Sequence, residues 1–374
     1  AEDCRKASKR EWERKVDINI YPGMATAERN KALSAAKENS ELPRMARMWK
    51  LLEELIENNE IDRSGRLSIE EDDKEGAAYR GIKLKWREDI RDGWKAPTLH
   101  VDATMEPELV RAYLPDVQIL DEIKAATPHQ KITQYIDRSF SKYALTRSDS
   151  DLVDKVWNWC QHRAKMLGGQ WLVVIPKDAE TIIREKYDVP DCISLAHHNA
   201  IAGRDEWKDV RGVIVIGRTL PPTNAVESIA GVITGRHIDV TKAGDFYAQR
   251  TFTVTDAKGR TETVEADTAG HPLAEAVRRS ICEAEVEQII GRGRGVNRTE
   301  DNPVEIHVLN NLPLEQPIDE LAEWKPLTLD EKLFAQKGVW LSSVTDMASI
   351  YGVKRNTLKI SRDRQLFKGT KPYS

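Results

Sequence analysis

The chain has 374 residues, a length that predicts two or three domains at about 150 residues each. Apolar residues make up 40% and charged residues 32%, which excludes a wholly disordered or collagen-like protein. Lys and Arg number 57 and Asp and Glu number 61, so a uniformly basic nucleic-acid coat is excluded. Any nucleic-acid surface is therefore expected to be a local patch.

The four cysteines, Cys4, Cys160, Cys192 and Cys282, lie far apart and form no CxxC pair. This spacing disfavours a zinc ribbon or a disulfide framework and favours reduced thiols in a cytoplasmic protein. No apolar run approaches the ~20 residues of a membrane span, so no membrane partner is expected. The charged stretch that begins at Ala1 is more typical of the middle of a protein than of its start.

The N-terminal part of the chain, residues 1–70, is polar and predicts a helical segment. Its clearest helix spans 42–60, where apolar side chains recur at helical spacing and predict a face that packs on a core. The apolar positions are Met45, Met48, Trp49, Leu52, Leu55 and Ile56. Short apolar stretches at 97–104 and 117–120 then predict two strands.

Further along the chain, predicted strands alternate with predicted helices, which indicates a parallel α/β sheet. Two runs, 171–175 and 213–216, are apolar throughout, as expected for strands buried on both faces. The other predicted strands are 132–137, 192–196 and 304–309, and the helices are 151–166, 178–186 and 274–290. Residues 251–265, with a Gly-containing turn at 256–259, predict a β-hairpin.

The segment Gln288-Ile-Ile-Gly291-Arg292-Gly293-Arg294 has the form QxxGRGR and precedes the last predicted strand. It resembles motif VI of superfamily 2 helicases, which lies in the second of two RecA-like domains. The resemblance implies that Arg292 and Arg294 are arginine fingers, which stabilise charge on the transferred phosphoryl group, supported by Gln288. Taken alone, an Arg-Gly string is also typical of an RNA-binding patch.

The same resemblance implies a nucleotide site around these arginines. Glycine permits close approach of the backbone to a ligand, and arginine offers phosphate a planar fork of donors. The nucleotide-site residues implied in this way are Gly291, Gly293, Arg298 and Asp205.

Three other segments follow the order of the helicase motifs. Residues 99–104 resemble motif III, although Asp102 stands where the family has Ser or Thr; 171–177 resemble motif IV and 198–218 motif V. The resemblance implies contacts of these segments with the nucleic-acid backbone. The implied contact residues are Thr104, Lys177, Asn199 and Arg204.

The P-loop GxxxxGK[ST] occurs nowhere in the sequence, and no acidic box follows an apolar strand. In the family these parts hold the phosphates and Mg²⁺ and precede motif III. We therefore expect a chain that begins after the acidic box, with a P-loop-bearing first domain upstream or on another polypeptide. ATP and Mg²⁺ are cofactors of the complete enzyme, the Mg²⁺ ligands lie outside this chain, and the chain alone is not expected to hydrolyse ATP.

The C-terminal stretch 340–362 resembles a helix-turn-helix with Gly352 at the turn. Its apolar residues Val344, Met347, Ala348, Val353 and Leu358 would hold two short helices together. The second helix would present Lys354, Arg355, Asn356, Thr357, Lys359 and Arg362. These side chains suit phosphate contact and groove reading, although a solvated basic face or a protein-docking module has the same pattern.

The predicted fold class is α/β: a RecA-like parallel sheet flanked by helices, an N-terminal helical segment and an all-α helix-turn-helix module. The predicted units are 1–115 (helical segment and tail of the first RecA-like domain), 116–312 (second RecA-like domain, with a hairpin insertion at about 224–270), 313–328 (linker) and 329–374 (helix-turn-helix). The expected function is the C-terminal part of an ATP-dependent helicase or translocase acting on nucleic acid, with DNA favoured over RNA but the choice between them left open. Two alternatives remain: a non-enzymatic DNA-binding regulator, and a replication or mobile-element initiation factor. No metal site is expected.

Overall fold

The computed structural model describes residues 1–57, 64–74, 77–240, 246–329, 331–332, 342–352 and 354–359. The helices are α1 (Glu2–Glu13), α2 (Thr26–Glu57), α3 (Pro107–Arg111), α4 (Lys142–Thr146), α5 (Leu152–Leu167), α6 (Lys177–Lys186), α7 (Thr223–Thr234), α8 (Pro272–Ile281), α9 (Glu283–Gly291) and α10 (Val344–Tyr351). The strands are β1 (Leu67–Lys74), β2 (Ala77–Leu84), β3 (Gln130–Tyr135), β4 (Trp171–Ile175), β5 (Ile193–His197), β6 (Gly212–Ile216), β7 (Ala248–Thr255), β8 (Thr261–Thr268), β9 (Val304–Leu309) and β10 (Glu320–Ala322).

Six parallel strands form one sheet in the order β10-β3-β9-β6-β4-β5. The apolar runs of β4 and β6 are buried at every position, as predicted, because both faces of the sheet are covered. Helices α5 and α6 pack on one face, and α9 packs on the other. The α/β class with a parallel sheet flanked by helices is thereby confirmed, and the layout is consistent with a RecA-like domain.

The N-terminal segment is helical as predicted, but its buried face differs from the predicted one. Helix α2 packs on α1 through Leu42, Ala46 and Leu51, whereas Met45 and Ile56 are exposed. The predicted apolar face of α2 was therefore partly wrong, because α1 covers Leu42, Ala46 and Leu51 and leaves Met45 and Ile56 uncovered. An antiparallel hairpin, β1–β2, follows where no strand was predicted.

The strands predicted at 97–104 and 117–120 are wrong, since neither stretch forms a strand. The side chains of Leu99, Val101 and Leu120 are 75%, 87% and 78% exposed. Their apolar pattern suits a strand, but a strand also needs a neighbour to pair with its backbone. Within the described part of the chain, no strand pairs with either stretch.

Two further predictions need correction. The long helix predicted at 274–290 is divided at Cys282 into α8 and α9. The predicted linker 313–328 contains β10, which pairs with β3 at the edge of the sheet, and Leu321 and Trp324 in it are buried. The predicted hairpin is confirmed as β7–β8.

Helix α10 begins after Ser343, whose side chain accepts a hydrogen bond from the backbone N–H of Asp346. It ends at Gly352 in the left-handed region, and residues 355–359 are again helical. Met347 and Leu358 are buried in one small apolar cluster. Val353 and Arg362 of the predicted helix-turn-helix, and its start at 340–341, lie outside the described residues. No helix within the described residues is long and apolar enough to cross a bilayer.

Candidate functional site

The QxxGRGR segment forms the end of α9 and a tight turn of residues 292–298, named here the arginine turn. Arg294 adopts φ +51°, in the left-handed region that non-glycine residues rarely occupy. A side chain at Gly293 would begin 3.2 Å from the Ile306 side chain, so the turn lies close against the start of β9. The predicted order of helix, turn and strand is therefore present.

Arg298 fastens the arginine turn to the rest of the protein. Its guanidinium is buried and donates hydrogen bonds to the carbonyls of Gly293 at 2.7 Å and Lys208 at 2.9 Å. A third bond, at 3.2 Å, reaches the side chain of Asn302. With its donors directed inward, Arg298 holds the turn in place.

The segment between β5 and β6, residues 198–211, is named here the crossing loop. It runs from the carboxyl end of β5 to the start of β6, where a parallel connection usually has a helix. Ile201, Trp207 and Val210 anchor it in the core on the α9 face of the sheet. This packing brings the polar residues of the loop next to the arginine turn.

The crossing loop and the arginine turn meet through an ion pair between Asp205 and Arg294. The Arg294 Nε lies 3.2 Å from Asp205 Oδ1, and Nη2 contacts the same oxygen. The hydrogen bond from Arg294 lowers the pKa of Asp205. Arg204 instead pairs with Glu206 at 2.7 Å and lies over the ring of Trp207.

Arg292 differs from its neighbours in the turn. Its Nε is enclosed and lacks a hydrogen-bond partner among the described residues. Nitrogen atoms of Arg66, Arg163 and Arg218 are enclosed without a partner in the same way, so this feature of Arg292 does not by itself mark a ligand site.

The predicted motif III segment also reaches α9. Gln288 donates a hydrogen bond of 3.2 Å to the hydroxyl of Thr104, although 184 residues separate them. Asp102 accepts from the backbone N–H of Thr104 at 2.7 Å and thereby fixes the turn that presents this hydroxyl. The segment that resembles motif III thus contacts the segment that resembles motif VI, through Gln288 of α9.

Lys177 and Asn199 follow the paired ends of β4 and β5, at the carboxyl edge of the sheet. Lys177 is exposed, and Asn199 adopts φ +66°. His197, the last residue of β5, connects that strand to α6, because its Nδ1 lies 2.6 Å from the carboxylate of Glu180. These two predicted contact residues therefore lie apart from Arg292 and Arg294, which are near the amino end of β9.

The C-terminal helical residues form a third group. Lys354, Arg355, Asn356, Thr357 and Lys359 are all exposed. Nothing in the described contacts joins them to the arginine turn.

Sequence reasoning missed Glu285. This residue lies in the first turn of α9, is mostly buried and accepts a hydrogen bond from the backbone N–H of Asn199. An acidic residue between Ala284 and Val286, one turn before Gln288, was the available signal.

Within the described residues, no group of three or more His, Cys, Asp or Glu side chains is placed to hold a metal ion. The adjacent His197 and His198 point to different partners, Glu180 and the carbonyl of Ile216. Comparison with protein-family models, curated proteins and solved structures found no match to this chain.

Proposed function

We propose that the chain is the C-terminal part of an ATP-dependent nucleic-acid helicase or translocase of superfamily 2. One observation carries the proposal: Gln288 contacts Thr104 and Arg294 contacts Asp205, across 184 and 89 residues of sequence. The segments that resemble motifs III, V and VI thereby meet at α9. Chance matches to three short motifs would not be expected to converge in this way.

Arg292 and Arg294 are proposed to sense the phosphates of ATP. The ion pair of Arg294 with Asp205 is exposed, which leaves the Arg294 guanidinium able to exchange that carboxylate for another anion. Bound ATP would supply the phosphoryl oxygens that they neutralise. Arg298 would hold the turn, Gly291 would let the backbone pass close to the nucleotide, and Gly293 lets the turn lie against β9.

The carboxyl edge of the sheet is proposed to face nucleic acid. Lys177 and Asn199 offer a cation and an amide to backbone phosphates at this edge, and Arg204 of the crossing loop offers a guanidinium next to Asp205. Contacts of this kind carry no sequence information. The exposed basic residues of 354–359 would add a DNA contact by a helix-turn-helix. Movement along the strand would then be largely independent of sequence.

A P-loop-bearing first RecA-like domain is the proposed partner. Leu99, Val101, Leu120 and Ile123 are exposed on stretches with strand-like patterns and no paired neighbour among the described strands. Exposed apolar patches of this kind mark interaction surfaces. These stretches are proposed to complete the domain that holds the phosphates and Mg²⁺.

The coding sequence immediately upstream of Ala1 is the first test. An in-frame P-loop followed by an acidic box supports the proposal and supplies the complete enzyme. A start codon directly before Ala1 contradicts a single-chain motor, and a separate P-loop polypeptide would then be the partner to isolate.

The decisive assay is nucleic-acid-stimulated ATP hydrolysis by the complete enzyme. Arg292→Ala and Arg294→Ala should each lower kcat by about a thousandfold, the usual effect of losing an arginine finger. Arg250→Ala, an exposed arginine on β7, is the matched control and should leave turnover unchanged.

Unchanged turnover in both finger variants would show that the assignment is wrong. Strong preference of the chain for one duplex sequence, retained in those variants, would instead favour a DNA-binding regulator.

A further inference from the structure

A buried joint connects the start of the crossing loop to α9. Glu285 accepts a hydrogen bond from the backbone N–H of Asn199 through Oε1, while its Oε2 lies 3.7 Å from Nδ1 of His198. The side chains of His198 and Glu285 are 4% and 11% exposed. These two side chains are therefore enclosed, although Asn199 itself is exposed, and their buried polar atoms need partners from the protein.

The hydrogen bonds of the joint leave two facing acceptor atoms, one on His198 and one on Glu285, without a donor. His198 donates from Nε2 to the carbonyl of Ile216 at 2.9 Å, so Nδ1 of the neutral ring is an acceptor. It faces Glu285 Oε2, which is also an acceptor, and neither atom has a hydrogen-bond partner among the described residues. The pair is satisfied when it holds one proton between the two atoms.

The position of the joint links the two ends of the candidate site. Asn199 stands at the carboxyl edge of the sheet, where nucleic-acid contact is proposed. Glu285 stands on α9, three residues before Gln288, and α9 leads directly into the arginine turn. Asn199 also has φ +66°, in the left-handed region that asparagine adopts more readily than most other residues.

We infer that Glu285 is a positioning residue: its carboxylate holds His198 and Asn199 against α9, so that the nucleic-acid edge and the arginine turn move as one unit. The inference rests on the proposed function for its two ligands, which are nucleic acid at the carboxyl edge of the sheet and ATP at the arginine turn. The contact itself rests on the geometry of His198, Asn199 and Glu285.

The burial of His198 and the charges around it determine how its pKa should change when the contact with Glu285 is removed. Burial lowers the pKa of His198, and the charge of Glu285 opposes that effect by raising it. The neighbouring His197 lowers it slightly, and His197 itself is occupied by Glu180. Removing the carboxylate of Glu285 should therefore lower the pKa of His198 further.

Three variants of the full chain separate positioning from general stability. Glu285→Ala removes both contacts. Glu285→Gln keeps an oxygen for the N–H of Asn199 and adds an amide donor for Nδ1 of His198, so it should preserve the joint. The matched control is Glu287→Ala on the same helix, because Glu287 accepts from the backbone N–H of Glu315 and not from the crossing loop.

Hydrogen exchange of residues 198–211 is the first readout. Glu285→Ala should speed exchange by about tenfold, as expected for loss of a charge-assisted hydrogen bond, while Glu285→Gln and Glu287→Ala resemble the wild type. An NMR titration should show a lower pKa of His198 in Glu285→Gln and none of this shift in Glu287→Ala. Equal exchange in Glu285→Ala and wild type, or an unchanged His198 titration, overturns the inference.

Coupling is tested by adding an oligo-dT strand and following exchange of residues 286–298. The strand should slow exchange there in the wild type and in Glu285→Gln, and not in Glu285→Ala. Equal slowing in all variants overturns the coupling. Failure of the wild type to bind oligo-dT contradicts the proposed function instead, and the role of Glu285 is still decided by loop exchange and the titration.

Discussion

Arg298 shows that an arginine in a phosphate-type motif can belong to the framework. Its three nitrogens bond Gly293, Asn302 and Lys208, and desolvation lowers the pKa of its guanidinium. Arg294, by contrast, has a single exposed carboxylate as its partner. The hydrogen bonds of Arg298 stabilise the turn, while the exposed ion pair leaves Arg294 able to exchange Asp205 for another anion.

Replacing Arg298 should therefore affect stability. Arg298→Ala is expected to lower the free energy of unfolding by about 2 kcal/mol, because two buried carbonyls lose their donors. Urea denaturation followed by circular dichroism measures the change. Arg250→Ala, at an exposed site, is the control, and equal midpoints for the two variants would contradict the assignment of Arg298.

The sequence pattern identified Arg292, Arg294 and Gln288 as a group, because their spacing resembles a known motif. It could not separate Arg298 from them, since the direction of a side chain after a turn depends on the surrounding fold. Glu285 had no motif to mark it. Its role depends on a contact with Asn199, which is 86 residues away in sequence.

Strand β6 begins at a glycine because its neighbour leaves no room for a side chain. A Cβ at Gly212 would lie 2.3 Å from the Trp171 ring, which is fully buried on β4. The ring and the glycine together set how closely the two central strands pack. Such close packing leaves little freedom for adjustment.

Gly212→Ala should consequently destabilise the sheet by about 1–3 kcal/mol through overpacking. A lower urea midpoint with an unchanged slope is the expected result. Gly270→Ala is the control, since its nearest neighbour would be 3.9 Å from the new methyl group. A midpoint for Gly212→Ala equal to that of the wild type would show that Trp171 can move aside.

The sequence predicted correctly those elements whose local residue pattern is enough to specify them. The apolar runs of β4 and β6 specify buried strands, and the turn at 256–259 specifies a hairpin. Strand β10 was missed because three residues with one buried side chain, Leu321, give almost no periodic signal. The division at Cys282 was missed because it depends on tertiary contacts: Ala274 and Val277 of α8 pack with α7, whereas Val286 and Ile289 of α9 pack on the sheet.

At the scale of the whole molecule, the apolar stretch around Leu99 and Val101 remains uncovered. Unpaired strand-like segments with exposed apolar side chains promote association with other chains. We therefore expect the isolated chain to self-associate as its concentration rises, and to do so through this stretch.

The double variant Leu99→Lys/Val101→Lys should reduce that association, measured by sedimentation velocity. Thr98→Lys/His100→Lys adds the same two lysines at the alternate positions of the stretch and is the matched control. If both double variants reduce association equally, added charge is responsible and the apolar face is not the contact.

The sequence by itself determined the α/β class, the central strands and the arginine turn, because each depends on local periodicity or on a contiguous motif. Tertiary structure decided which predicted residues meet. Arg294 meets Asp205 and Glu285 meets Asn199 because the crossing loop and α9 pack on the same face of the sheet. Gln288 meets Thr104, which comes from the separate segment 99–104. It also decided that the stretches at 97–104 and 117–120 are not strands, since strand formation needs a paired neighbour.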